Sequence, residues 1–198
     1  MAKRERVDLR QRVLDTAAEL FYRDGVRAVG VDRIASESGV AKMTLYYHFG
    51  SKDDLVAAWL RQRDEEWMRW LQDAVGRRRG HRVLAVFDAL REWFEMPTFR
   101  GCAFVNAYAE LGWTNPAAAE IVASHKRTLA DYLAHLARLE GAAEPDAEAL
   151  ARELLLLVDG AIVTASIQGS ARPADDAREA AAKVIAASGL TPGASATG

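Results

Sequence analysis

From Leu9 to Phe21 the apolar residues fall at Leu9, Val13, Leu14, Ala17, Ala18 and Phe21, the three-and-four spacing of an amphipathic helix. Two shorter helical stretches follow, Val31–Glu37 and Lys42–Phe49, with Gly39 between them and Gly50 after the second. Asp24-Gly25 closes the first helix, and Gly30 is a permissible cap for the next. Three short helices within fifty residues, the last two joined by a glycine turn, make the helix-turn-helix pattern. That pattern constrains the fold more than any other feature of the chain.

Helical periodicity recurs along the chain to about residue 188, and nowhere is there persuasive strand alternation. Ser51 is placed to cap a long helix, with Asp53 and Asp54 near its positive end, reaching about Val75 before Gly76-Arg77-Arg78-Arg79-Gly80. Further helices are expected over about 81–95, 104–111, 116–141, 146–168 and 174–188. The expected fold class is therefore all-α, with an N-terminal three-helix helix-turn-helix domain joined to a larger helical domain. Residues 1–50 form the first, with the opening turn of the connecting helix added to it. Residues 51–189 form the second, and 190–198 a Gly/Ser/Ala/Thr tail expected to be loose.

Composition sets limits on function. Half the residues are hydrophobic, enough for a packed core, and the formal net charge of −2 by itself suggests no nucleic-acid partner. Its distribution says more: Lys3, Arg4, Arg6, Arg10 and Arg12 outweigh Glu5 and Asp8 in the first twelve residues. The single cysteine, Cys102, excludes an intramolecular disulfide and fits a reducing compartment, so a cytoplasmic location is expected. The apolar run Leu154–Ile167 is too short to span a bilayer and carries Asp159, so no membrane partner is expected.

A helix-turn-helix works when one short helix braces another whose outer face enters the major groove. Ile34, Ala35, Val40 and Leu45 are the bracing core, leaving Lys42, Met43, Thr44, Tyr47 and His48 outside. Lysine donates to guanine edges, and the methyl groups of Met43 and Thr44 suit thymine. Tyr47, His48 and Lys52 are better suited to phosphate oxygens, which position a duplex without reading it. Tyr46, with Leu45 and Phe49, has core packing as its competing role.

The run from Ile34 to Phe49, then Ser51-Lys52-Asp53-Asp54-Leu55, resembles the TetR family of bacterial transcriptional regulators. Ala17-Ala18-Glu19-Leu20-Phe21 and Gly25 fit the same family's first helix and turn, so the resemblance covers about residues 10–56. It implies a homodimer bound to double-stranded operator DNA, usually a repressor released by a small-molecule effector. It further implies that Lys42 and Thr44 face the groove, while Tyr46, Tyr47, His48 and Lys52 support them or contact the backbone. Gly30 and Ala41 depart from the pattern, standing where many members carry a Ser or Thr cap. The run Gly101–Asn106 is similar to one in a subset of such regulators and names no ligand.

Beyond residue 50 the chain is rich in aromatics that DNA binding does not require. Trp59, Trp67, Trp70, Phe87, Trp93, Phe104, Tyr108 and Trp113 are candidates to line a pocket for a largely apolar ligand, with core packing as the competing role. Asn106, Glu110 and His125 are candidate polar orienting groups. Glu110 lies four residues after Asn106 and can share its helix face: an internal face would favour a cationic ligand, a wet one would say nothing. Dimerisation is expected through the last two helices at Leu154, Val158, Ala161, Ala165, Ala177, Ala181 and Val184, with burial inside one subunit as the alternative.

No cofactor, metal site or catalytic residue is expected. His81, His125 and His135 are scattered, and no zinc spacing, phosphate loop or nucleophile signature is present. The expectation is a ligand-released dimeric repressor in which the helix from Ser51 moves the reading heads. An activator or corepressor-dependent repressor, a ligand-binding helical scaffold and an enzyme are the alternatives.

Overall fold

The computed structural model describes the backbone over residues 2–190 and side chains from residue 9. Among the described residues there are nine helices and no strand: α1 (Ala2–Asp24), α2 (Val31–Ser38), α3 (Lys42–Phe49), α4 (Lys52–Gly76), α5 (Arg82–Phe94), α6 (Ala103–Leu111), α7 (Pro116–Leu139), α8 (Glu144–Gln168) and α9 (Arg172–Ala187). The all-α expectation is met element for element. The largest difference in extent is α1, which begins at Ala2 although its apolar stripe begins at Leu9. Ala, Lys, Arg and Glu propagate a helix well without supplying a core face, so periodicity alone misses them. The side chains of Lys3, Arg4 and Arg6, and residues 191–198 of the expected tail, lie outside the described residues.

The chain divides into two compact units that are not contiguous in sequence. One comprises residues 1–65 and 103–124, the other 66–102 and 125–198. The division falls inside α4 and α7, so the first unit holds α1–α3 with the front of α4, all of α6 and the front of α7. Its core is made by Val13, Leu14, Ala17, Leu20, Phe21, Ile34, Ala35, Leu45, Phe49, Leu55 and Trp59, all buried. The ring centroids of Phe21 and Trp59 lie 5.4 Å apart, and Arg63 sits over the Tyr22 ring at 4.8 Å, which fastens α1 to α4.

In the second unit α5, α8 and α9 pack together. Arg91 pairs with Asp175, and Arg178 with Asp88 at 2.8 Å. Asp159, the acid within the apolar run of α8, is half-buried and paired with Lys126. Leu154, Val158, Ala161, Ala165, Ala177 and Ala181 are buried by the chain's own packing, and Val184 is half-buried. The apolar residues that α8 leaves outside are Leu156, Val163 and Ile167. The middle of α8 is apolar on every side, so sequence could not say which face α5 and α9 would cover. No helix of the described residues is long and apolar enough to cross a membrane.

Candidate nucleic-acid interface

The joint between α2 and α3 is built almost entirely from backbone. Ser38 is buried and its hydroxyl donates to the Ile34 carbonyl at 2.6 Å. Gly39 then takes φ of 66°, a left-handed conformation that L side chains adopt only at a cost. Its N–H donates to the Ser36 carbonyl at 3.2 Å, and that of Val40 to Ala35 at 3.1 Å, which terminates α2. Ala41 opens α3 in extended backbone with no side-chain cap, as does Gly30 for α2. The free N–H groups at both helix starts remain available to an anion.

Helix α3 has a buried edge, an exposed edge and residues between them. Leu45 and Phe49 face the core, and the Arg10 guanidinium covers the Phe49 ring at 4.8 Å. Met43 is 77% exposed and Tyr47 72%. Tyr46 is partly exposed, and Thr44 and His48 are half-buried. The Tyr47 and His48 rings meet edge to face, 5.2 Å between centroids. Lys42 is exposed, but its Nζ lies 2.7 Å from Asp32 Oδ1, and this hydrogen-bonded carboxylate holds the ammonium above its ordinary pKa. DNA engaging Lys42 would have to replace that partner. Nothing in the spacing of Asp32 and Lys42 announces the pair, because it forms across the turn between two helices.

Lys52 sits differently from the solvated lysine its position suggests. Its Nζ donates to the Val26 carbonyl at 2.6 Å. Burial lowers its pKa, against the opposing pull of Asp53 and Glu110. One residue earlier, Ser51 caps α4 as expected: its Oγ accepts the Asp54 N–H at 3.0 Å and donates to Asp54 Oδ2 at 2.6 Å.

The residues expected to meet a ligand separate into two groups. Trp67, Trp70, Trp93 and His125 gather in one aromatic cluster of the second unit, with ring centroids 5.5–6.3 Å apart and Phe99 5.0 Å from Trp93. Trp67 Nε1 is buried there with no hydrogen-bond partner. Phe87 is fully buried in the same unit. Trp59, Phe104, Asn106, Tyr108, Glu110 and Trp113 belong to the first unit. Trp59 and Phe104 are core, Asn106 and Tyr108 are exposed, and Trp113 is 92% exposed. Glu110 turns its carboxylate onto backbone N–H groups of the α1–α2 turn. Among the described residues no group of three or more His, Cys, Asp and Glu could hold a metal ion.

An all-helical chain with a glycine-jointed helix pair, one face of α3 left outside the core, has the architecture of a helix-turn-helix DNA-binding protein. Family comparison narrows this class. Residues 13–59 match the model for bacterial regulatory proteins of the tetR family, and residues 80–181 the tetracyclin repressor-like C-terminal domain. A TetR-family regulator from Streptomyces coelicolor, SCO4454, is 32% identical, with a TM-score of 0.81 over 91% of this chain and 96% of its own. A putative TetR regulator from Streptomyces avermitilis, sav143, is 30% identical, with a TM-score of 0.79 over 92% and 98%. The HTH-type regulator SAB2452 of Staphylococcus aureus is 40% identical over 53 residues, 27% of this chain and 29% of its own length. Matches to such curated relatives thus span less than half of their length. The chain belongs to the TetR family of transcriptional regulators. Membership places it among non-enzymatic DNA-binding proteins.

Proposed function

We propose that the chain is a dimeric repressor that holds inverted-repeat operator DNA through α3 and is released by a small, largely apolar ligand. The division of α3 carries this reading: Leu45 and Phe49 are spent on the core while Lys42, Met43 and Tyr47 are left outside. Lys42, Met43 and Thr44 are assigned to base edges, and Tyr46, Tyr47 and His48 to phosphates or to support of the reading helix. Lys52, the remaining candidate, is taken up below.

Dimerisation is assigned to the outer face of α8. Leu156, Val163 and Ile167 are separated by seven and four residues, which puts them on one helical stripe, and Leu156 and Ile167 are 73% and 79% exposed. A second copy covering this stripe would set the distance between two heads. The ligand is assigned to the aromatic cluster around Trp67, Trp70 and Trp93. Its unpartnered Trp67 N–H favours a ligand carrying a hydrogen-bond acceptor.

The test is selection of bound duplexes from fragments of the source genome, followed by affinity measurement across salt concentrations. Enrichment of a palindromic site near a promoter is expected. Failure of the folded dimer to bind any duplex at low salt, with and without cell extract as a source of corepressor, would overturn the reading.

A further inference from the structure

The α1–α2 turn has its backbone satisfied from two distant parts of the chain. The Val26 N–H donates to Glu110 Oε1 at 3.1 Å, and the Arg27 N–H donates to Glu110 Oε2 at 2.6 Å. The Val26 carbonyl accepts from Lys52 Nζ at 2.6 Å. Glu110 comes from α6 and Lys52 from the first residue of α4, so three segments of one compact unit meet at this turn. A carboxylate shared by two successive backbone N–H groups forms charge-assisted bonds, and an ammonium on the intervening carbonyl adds a third.

Gly25 makes the close approach possible. Its φ is 86°, and a Cβ there would stand 3.0 Å from Glu110 Oε1. The turn matters beyond itself because it sets the direction in which α2 leaves α1, and α2, with Ile34 and Ala35 buried, packs against α3. Both bonds to Glu110 need heavy-atom separations within about 3.2 Å, so a displacement of α6 by an ångström or so would break them.

We propose that Glu110 is a positioning residue for DNA recognition: together with Lys52 it latches the Gly25–Val26–Arg27 turn and fixes how α2 and α3 are presented. The inference rests on the DNA-binding reading above. It gives Glu110 a task other than meeting a ligand, and it gives Lys52 an effect on DNA affinity exerted through Val26 and not through phosphate.

The test uses the full chain, read by amide NMR without DNA and by affinity for a selected duplex and its scrambled counterpart over a salt series. Glu110→Ala is expected to speed exchange of the Val26 and Arg27 amides about tenfold and to weaken binding of the selected duplex about tenfold, the loss set by two charge-assisted bonds partly replaced by water. The salt slope stays as in the wild type, and so does amide protection within α8. Glu110→Gln keeps one acceptor oxygen and should fall between the two, which supplies the test should the alanine variant not fold. Lys52→Met should weaken binding with the slope unchanged. A slope reduced by about one would assign Lys52 to phosphate and overturn its part in the latch.

Unchanged amides in the Glu110 variants, or faster amides with unaltered duplex affinity, would overturn the positioning role alone. A wild-type chain that binds no duplex would overturn the DNA reading and the positioning role with it.

Discussion

Lys42 and His81 show how partners decide what a side chain does. Lys42 exchanges one carboxylate, Asp32, for whatever DNA offers, so its contribution to affinity is a difference between two pairings. Lys42→Ala is expected to weaken binding of the selected operator about tenfold or more and to relax preference at one base pair, measured on a panel of single-base variants. Asp32→Ala should tighten binding to operator and scrambled duplex alike, because it frees the ammonium without adding a base contact. His81, at the start of α5, is buried, and both ring nitrogens lack hydrogen-bond partners. Burial holds its pKa below the ordinary 6.5, Glu140 at 4.0 Å opposes this, and Arg178 adds to it. Between the lowered folded value and 6.5 the unfolded chain binds the extra proton. Stability is therefore full above 6.5 and falls as pH drops through 6.5 toward the folded value. Thermal melts of wild type and His81→Leu across that window check this, the variant losing the part of the slope due to this group.

At the scale of the element, the joint and the stripe are the parts open to test. Gly39→Ala forces a Cβ into left-handed backbone, and a loss of about 1–2 kcal/mol is expected from the urea midpoint. No side chain lies within reach of that Cβ, so the cost is conformational. On α8, Leu156→Glu and Ile167→Glu should convert a dimer to a folded monomer in sedimentation experiments, since both residues are exposed in the single chain. Val158→Glu, two residues from Leu156 but buried, should instead unfold the chain, an unpaired buried carboxylate costing about 3 kcal/mol or more. Equal behaviour of the two faces would remove the assignment of the dimer to the outer stripe.

At the scale of the whole molecule, repression released by a ligand is a coupling free energy between two sites. If ligand weakens operator binding by a given factor, operator must weaken ligand binding by the same factor. Titrating the ligand into free and operator-bound protein should therefore show equal factors, of about 5–150 for a coupling of 1–3 kcal/mol. Unequal equilibrium factors would mean that the two measurements do not share one cycle of states. Trp67→Phe, which removes the unpartnered N–H and keeps an aromatic ring, should weaken ligand binding while leaving DNA affinity of the ligand-free protein near its wild-type value.

The all-α class, the glycine-jointed helix pair and the family resemblance were legible without coordinates, because they rest on local signals. Periodicity marked the apolar stripes, Gly39 and Gly50 marked helix ends, and Ser51 marked a cap. Leu45 was legible as core for the same reason, whereas the burial of Phe49 under Arg10 of α1 and the half-burial of Thr44 and His48 depend on how α1 and α2 pack against α3. Tertiary structure alone decided where several faces were equally apolar or where partners came from far along the chain. Leu154 and Leu156 look alike in sequence, and only tertiary packing buries one and leaves the other outside. Glu110 was legible as an acid sharing a helix face with Asn106, but its partners are backbone N–H groups more than eighty residues away. Backbone groups carry no residue-type signature, so no pattern in the sequence could have paired Glu110 with Val26 and Arg27.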